Sequence, residues 1–330
     1  MIRAPRLAVL AAALSVAGCG GGGAASPSAA PVVDHVHAAV PGHATGEILL
    51  GTHYGLRISQ DGGATWPPAG DLAHAQLRLL VAAGSGYVAV TARDDGSSLT
   101  QWSSDGRRWH ASTGMPAGRP VGALAPGSTP GAVWAEVTDV GILGSEDGGR
   151  SWHPVLPTPL AINDLDAGVD GPDLLAYASS SGLFLARGPQ LVPLFDAPVL
   201  EGDVQAVQRW SACPRCLVAT LTGSVATSAD GGRHWTTHPS PAPFTDVVSW
   251  AAGGTALLAV APAPASPAHG LYLSTDSGAT WTRVVDAPLI DHLDLPATAG
   301  APLHAFRWGI DVYRSDDAGR TWTDTGRLRD

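Results

Sequence analysis

No lysine occurs in these 330 residues; all 19 basic side chains other than histidine are arginine. That absence reflects the codon bias of a GC-rich genome and carries no chemistry of its own. Charge is scarce as well, at 15 % of the residues, and acidic in balance, with a formal net charge of −10. Nucleic-acid binding needs a basic footprint, so that class is excluded. Glutamate is limited to Glu47, Glu136, Glu146 and Glu201. Long amphipathic helical stretches are missing, and no segment is long and apolar enough to be a comfortable bilayer span. There is no phosphate loop, no G-x-S-x-G elbow and no H-E-x-x-H pair, which removes the familiar signatures of nucleotide, serine-hydrolase and zinc-protease chemistry.

What is abundant is glycine (41) and proline (27). Short apolar runs rich in Val, Leu and Ala alternate with Gly, Pro and Asp turns, the pattern of an all-β chain.

Residues 1–19, "MIRAPRLAVLAAALSVAGC", form a leader. Arg3 and Arg6 make a charged n-region, and residues 7–17 an apolar h-region too short to span a membrane comfortably. "VAGC" then resembles a bacterial lipobox, which implies cleavage after residue 18 and a lipid on Cys19. An ordinary secretory peptide is the alternative. Loss of Arg3 and Arg6 with the leader leaves a formal charge of about −12. Residues 19–33 read as a flexible Gly/Ser/Ala/Pro tether with nothing to bury. These features predict an exported protein held on the outer leaflet of a bacterial membrane through Cys19.

One phrase recurs along the rest. "SQDGGATW" at 59–66 returns as "SEDGGRSW", "SADGGRHW", "STDSGATW" and "SDDAGRTW", and in shortened form as "SSDGRRW". Its aspartates are Asp61, Asp105, Asp147, Asp230, Asp276 and Asp317, separated by 44, 42, 83, 46 and 41 residues. The gap of 83 is close to twice the others and holds a unit whose phrase has decayed, around "SSSGLFLARGPQLVPLF". The period predicts seven units of four short strands, a seven-bladed β-propeller of four-stranded antiparallel blades over residues 34–330. The first unit already offers four candidate strands, so the ring is expected to close whole blade against whole blade.

The phrase bridges the third and fourth strands. Its Asp can accept turn N–H groups, its Gly supplies positive φ, and its Trp covers the blade edge. A calcium loop needs several converging oxygens, and each turn offers too few. The six aspartates are therefore fold residues.

The phrase matches the Asp-box, or BNR repeat, S-x-D-x-G-x-T-W, over essentially the whole chain after the leader. Chains of this kind include sialidases and other glycosidases, the sortilin ectodomain and the photosystem II assembly-factor propellers. "HVH…THYGL" also resembles exported bacterial Asp-box proteins labelled glycosyl hydrolases. The resemblance implies a propeller and leaves the function open. A sialidase uses an arginine triad, a Tyr–Glu pair and an Asp acid/base. Here "GLRIS" supplies Arg57 and Ile58 without the following proline of the R-I-P motif.

In a propeller the starts of the first strands and the ends of the second strands share one face, opposite the Asp-box turns. One aligned position at the first-strand starts holds His35, Gln76, Asp164, Asp203, Asp246 and His292. Two residues on stand His37, Arg78, Asp166, Gln205 and Asp294. The second strands bring His53, Tyr54, Arg93, Arg307 and Trp308 to the same face. Three readings stand side by side. One is a small-molecule or glycan pocket, with Tyr54 and Trp308 as apolar platforms and Arg307 for a carboxylate. A second is a transition-metal site of His35, His37 and His53, since imidazoles at i and i+2 share a strand face. The third is a set of hydrogen-bonded channel residues with no ligand. No cofactor is expected beyond that metal.

"CPRC" supplies Cys213 and Cys216 between the first and second strands of the fifth unit, on the opposite face. Strands flank it where a thioredoxin-like site would start a helix, so a local disulfide is expected in an exported protein. The sequence thus points to a lipid-anchored propeller acting as a binding or assembly module, with a sialidase-like glycosidase as the competing reading and metal binding as a third.

Overall fold

The computed structural model describes residues 36–127, 129–157, 162, 164–167, 174–178, 182–187, 192–193, 200, 204–209, 216–250, 256–261, 270–284, 290, 292–293, 302–307, 311–317 and 319–327. They form a β-propeller of small antiparallel sheets. The first contains β1 (Val36–Pro41), β2 (Ile48–Thr52) and β3 (Gly55–Ser59). The second contains β4 (Leu77–Ala83), β5 (Gly86–Ala92), β6 (Ser98–Ser103) and β7 (His110–Ala111). The third holds β8 (Val121–Pro126), β9 (Val133–Val137), β10 (Gly141–Ser145) and β11 (His153–Leu156). The fourth holds β12 (Asp164–Ala167), β13 (Leu174–Ala178), β14 (Gly182–Arg187) and β15 (Val192–Pro193). In the fifth are β16 (Val204–Arg209), β17 (Leu217–Leu221), β18 (Ser224–Ser228) and β19 (Thr236–Pro239). The sixth has β20 (Asp246–Trp250), β21 (Ala256–Ala261), β22 (Gly270–Ser274) and β23 (Thr282–Arg283). The last has β24 (His292–Leu293), β25 (Leu303–Arg307), β26 (Asp311–Ser315) and β27 (Thr323–Arg327). Every sheet is an up-and-down meander, so each strand pairs with its neighbour in the chain.

The first sheet departs from expectation: it has three strands, not four. The reason is local. The phrase here runs "TWPP", and Pro67 and Pro68 bring no N–H to a fourth strand. Only a single bridge, Arg57 to Pro68, remains of that edge.

The phrase turns are built alike. In the first, the Ser59 hydroxyl donates to Asp61 Oδ1 at 2.8 Å and accepts from the Gly63 N–H at 2.8 Å. Asp61 Oδ1 also accepts the N–H groups of Ala64 and Thr65, and Oδ2 takes the Thr65 hydroxyl at 2.6 Å. The same net recurs at Asp147, Asp230, Asp276 and Asp317. The shorter turn at Asp105 uses the N–H groups of Arg107 and Arg108. These bonds hold the aspartates below the usual carboxylate range, Asp61 at about 2 through Thr65 first. In every phrase turn but the first, the indole N–H donates back to the turn glycine carbonyl, as in Trp152 to Gly149 at 3.1 Å.

The Trp rings pack between sheets. Trp109 joins Leu49, Leu56 and Leu80 between the first and second sheets. Trp152 joins Val90, Val133 and Leu143 between the second and third. Trp235, Trp281 and Trp322 pack at the three later interfaces. The fourth unit lacks a phrase Trp, and at its junction with the third sheet Trp134 of β9 packs against Ala123, Ile142 and Leu165 instead. Trp66 lies with Ile48, Leu50, Phe306 and Val312, so the last sheet packs on the first.

Candidate functional site

The two ends of each sheet are chemically different. At one end lie the phrase turns beside the loops from first to second strands: Gly62 N–H donates to Gly46 O at 2.9 Å, and Gly148 N–H to Gly131 O at 2.8 Å. At the other lie the first-strand starts and the turns from second to third strands. There Ala92 N–H meets Gln76 O at 2.8 Å and Thr138 N–H meets Pro120 O at 3.0 Å.

That second end carries a repeated irregularity. The first strand bulges after Val36, Leu77, Val121 and Val204, where the register with the second strand slips by one residue. The extra residues are His37, Arg78, Gly122 and Gln205. A bulge re-aims a side chain beside a site. Three of these four belong to the polar set read from the sequence.

The structure brings His37, His53, Tyr54 and Gln76 together. The His37 and His53 rings stack with centroids 6.1 Å apart. Gln76 Nε2 stands 3.3 Å from His53 Nδ1, and the Tyr54 ring meets His53 edge-on at 5.4 Å. Tyr54 is 41 % exposed and is the one large apolar side chain exposed among the described residues. Thr52 fixes the turn beneath it, donating its hydroxyl to Gly55 O and accepting the Tyr54 N–H. Arg78 and Arg93 are exposed nearby in the sequence of the second sheet. Asp95 there is held below its ordinary range by the Ser97 hydroxyl and N–H.

His35, Asp203 and Trp308 lie outside the described residues. Asp164, Asp246, His292 and Arg307 fall in β12, β20, β24 and β25, at first-strand starts or a second-strand end, and their side chains are outside the description. No group of three His, Cys, Asp or Glu able to hold a metal occurs among the described residues; two of the three proposed imidazole ligands, His37 and His53, are present and neighbouring. Arg57 does not reach this face. It is buried in β3 and donates to Trp66 O at 3.2 Å, a role in the fold. Cys216 is disulfide-bonded and half-buried, while Cys213 and Cys19 lie outside the described residues.

Sequence reading missed Glu136. It is 4 % exposed in β9, and its Oε2 accepts the Gly122 N–H at 3.2 Å. Burial pushes its carboxyl up, the Gly122 bond opposes this, and Asp139 adds to the rise. The available signal was a lone glutamate inside the apolar strand "VWAEV".

No family model matches this chain, and no curated protein does. Solved structures do. "YCF48 bound to D1 peptide" aligns with a TM-score of 0.64 at 16 % identity, over 84 % of this chain and 91 % of that one. YCF48 from Cyanidioschyzon merolae aligns at 0.51, with 14 % identity over 74 % and 83 % of the two chains. The Niastella koreensis GH74 enzyme aligns at 0.59 and 13 % identity, over 84 % of this chain and 42 % of that one. At these identities the likeness is one of fold.

Proposed function

We propose that this chain is a seven-bladed Asp-box propeller, exported and held by lipid on Cys19 at the outer leaflet of a bacterial membrane, that binds polypeptide on the face where its first strands begin. The observation that carries the reading is Tyr54, an exposed aromatic ring braced by His53, which Gln76 bonds in turn. Such a ring supplies large contact area with little entropy to lose, and aromatic anchors dominate protein-binding sites. The similarity to a propeller holding a D1 peptide supports the same class of ligand. Small antiparallel sheets among the described residues, with the last packed on the first, support the propeller, and the recurrence of the phrase about every 42 residues supports seven blades. The lipobox supports the anchor, and the Cys216 disulfide is assigned to Cys213.

The test is selection of a random-peptide phage library on the full chain. The reading expects peptides whose binding falls at least about tenfold in Tyr54→Ala, the loss of a buried aromatic anchor. Selection of nothing, or of peptides indifferent to Tyr54, overturns it. Loss of labelled palmitate in Cys19→Ala checks the anchor.

Glycoside hydrolysis is the second reading, and Glu136 favours it, because an acid catalyst needs a carboxyl pushed up. It requires a second carboxylate across the mouth and turnover of an aryl glycoside, abolished by Glu136→Gln.

A further inference from the structure

Three of the four bulges carry a side chain: His37, Arg78 and Gln205. The third sheet has Gly122 there, and no side chain of its own. The place is nevertheless filled. A Cβ built on Gly122 would lie 2.4 Å from Glu136 Oε2, so the carboxyl from the second strand occupies the position a bulge side chain would take. Gly122 itself is exposed. Glu136 is almost wholly buried, and the one donor shown for its carboxyl among the described residues is the Gly122 N–H, to Oε2.

Among the described residues, the one charged neighbour that acts on Glu136 is the like-charged Asp139. Arg119, in the loop leading to β8, is committed to Asp139 at 2.8 Å. Asp139 faces Glu136 closely enough to oppose its ionisation. A carboxyl stripped of water and given one N–H is short of donors, and an approaching cation supplies them. A guanidinium brings a forked set matched to a carboxylate. The formal charge of −10 favours the approach of such a group.

We propose that Glu136, set behind Gly122, is an acidic subsite that takes an arginine or lysine side chain of the bound polypeptide. The proposal rests on the polypeptide-binding reading for its ligand class. In it Gly122 works by absence, since any side chain there displaces the carboxyl.

The test uses the full chain labelled with carbon-13 at the glutamate δ-carboxyls. Four glutamates give four signals, and Glu136→Gln identifies one of them. Acetyl-arginine amide is the probe and acetyl-glutamate amide the control. The arginine probe should shift the Glu136 signal saturably, and the control should leave it in place. In Glu136→Gln, checked as folded by its thermal melt, basic peptides from the phage selection should bind about tenfold or more weakly. A Glu136 signal unmoved by the arginine probe, or moved equally by the control, overturns the subsite. Selected peptides that bind through Tyr54 without any basic preference overturn the subsite and leave the binding reading intact. A signal that responds to arginine when no peptide is selected supports the subsite and removes the polypeptide.

Discussion

His304, in the last sheet, donates its Nε2–H to the Gly62 carbonyl of the first phrase turn at 3.1 Å. Arg314 donates to the same carbonyl at 3.3 Å, and Phe306 meets Trp66 edge-on at 6.3 Å. The ends of the propeller are therefore joined by side chains packed across two whole sheets. This contact joins residues 242 positions apart in the chain.

Closure should be costly to break. Phe306 is 1 % exposed, and Phe306→Ala is expected to destabilise by about 3–5 kcal/mol, the range for a buried aromatic lost to a cavity. Urea unfolding measures it. A loss under about 1 kcal/mol would place the last sheet outside the cooperative unit.

His304 should make stability depend on mild acid. Burial lowers its titration below the ordinary 6.5, the Gly62 bond opposes this, and Arg314 adds to the lowering. A base lowered in the folded state is stabilised neutral, so its contribution is complete above about 6.5 and is lost as pH falls towards the lowered value. Thermal melts across that window should fall in the wild type and fall less in His304→Gln.

The phrase aspartates act at lower pH. Their folded titration lies below the ordinary 3.8, Asp61 at about 2 through the Thr65 hydroxyl and N–H. Their stabilisation is present above 3.8 and is lost as pH falls through the lower value. Asp61→Asn should lower the melting temperature at neutral pH and flatten its decline between those two values.

Glu136 has the opposite sign. Its carboxyl is pushed up, chiefly by burial, so the folded state prefers the protonated form. The penalty appears as pH rises through the ordinary 4.5 towards the raised value and then stays. Glu136→Gln should therefore melt higher than the wild type at neutral pH and show no advantage in acid.

Much of this was legible in the sequence because the phrase states its own chemistry. Ser59, Asp61, Gly63 and Thr65 bond one another within seven residues, so local spacing is enough to read them. Of the polar residues read near the strand starts, His37, Arg78 and Gln205 stand at bulges, which strand spacing does not announce. What was hidden depends on partners distant in sequence or on the lack of a side chain. The fourth strand of the first sheet fails because Pro67 and Pro68 follow Trp66. Trp134 substitutes for a missing phrase Trp from a strand that carries no phrase. Glu136 fills the place of Gly122, and a glycine in a list of polar strand starts is read as a blank.

The central claim is that the phrase turns make the fold and the opposite face binds polypeptide. Hydrogen exchange of the full chain, with and without a peptide selected from the random library, tests it most directly. The account predicts new protection around Thr52–Tyr54, Gln76 and the 91–96 turn, and none at the phrase turns 59–66 and 145–152. Protection confined to those phrase turns would contradict it.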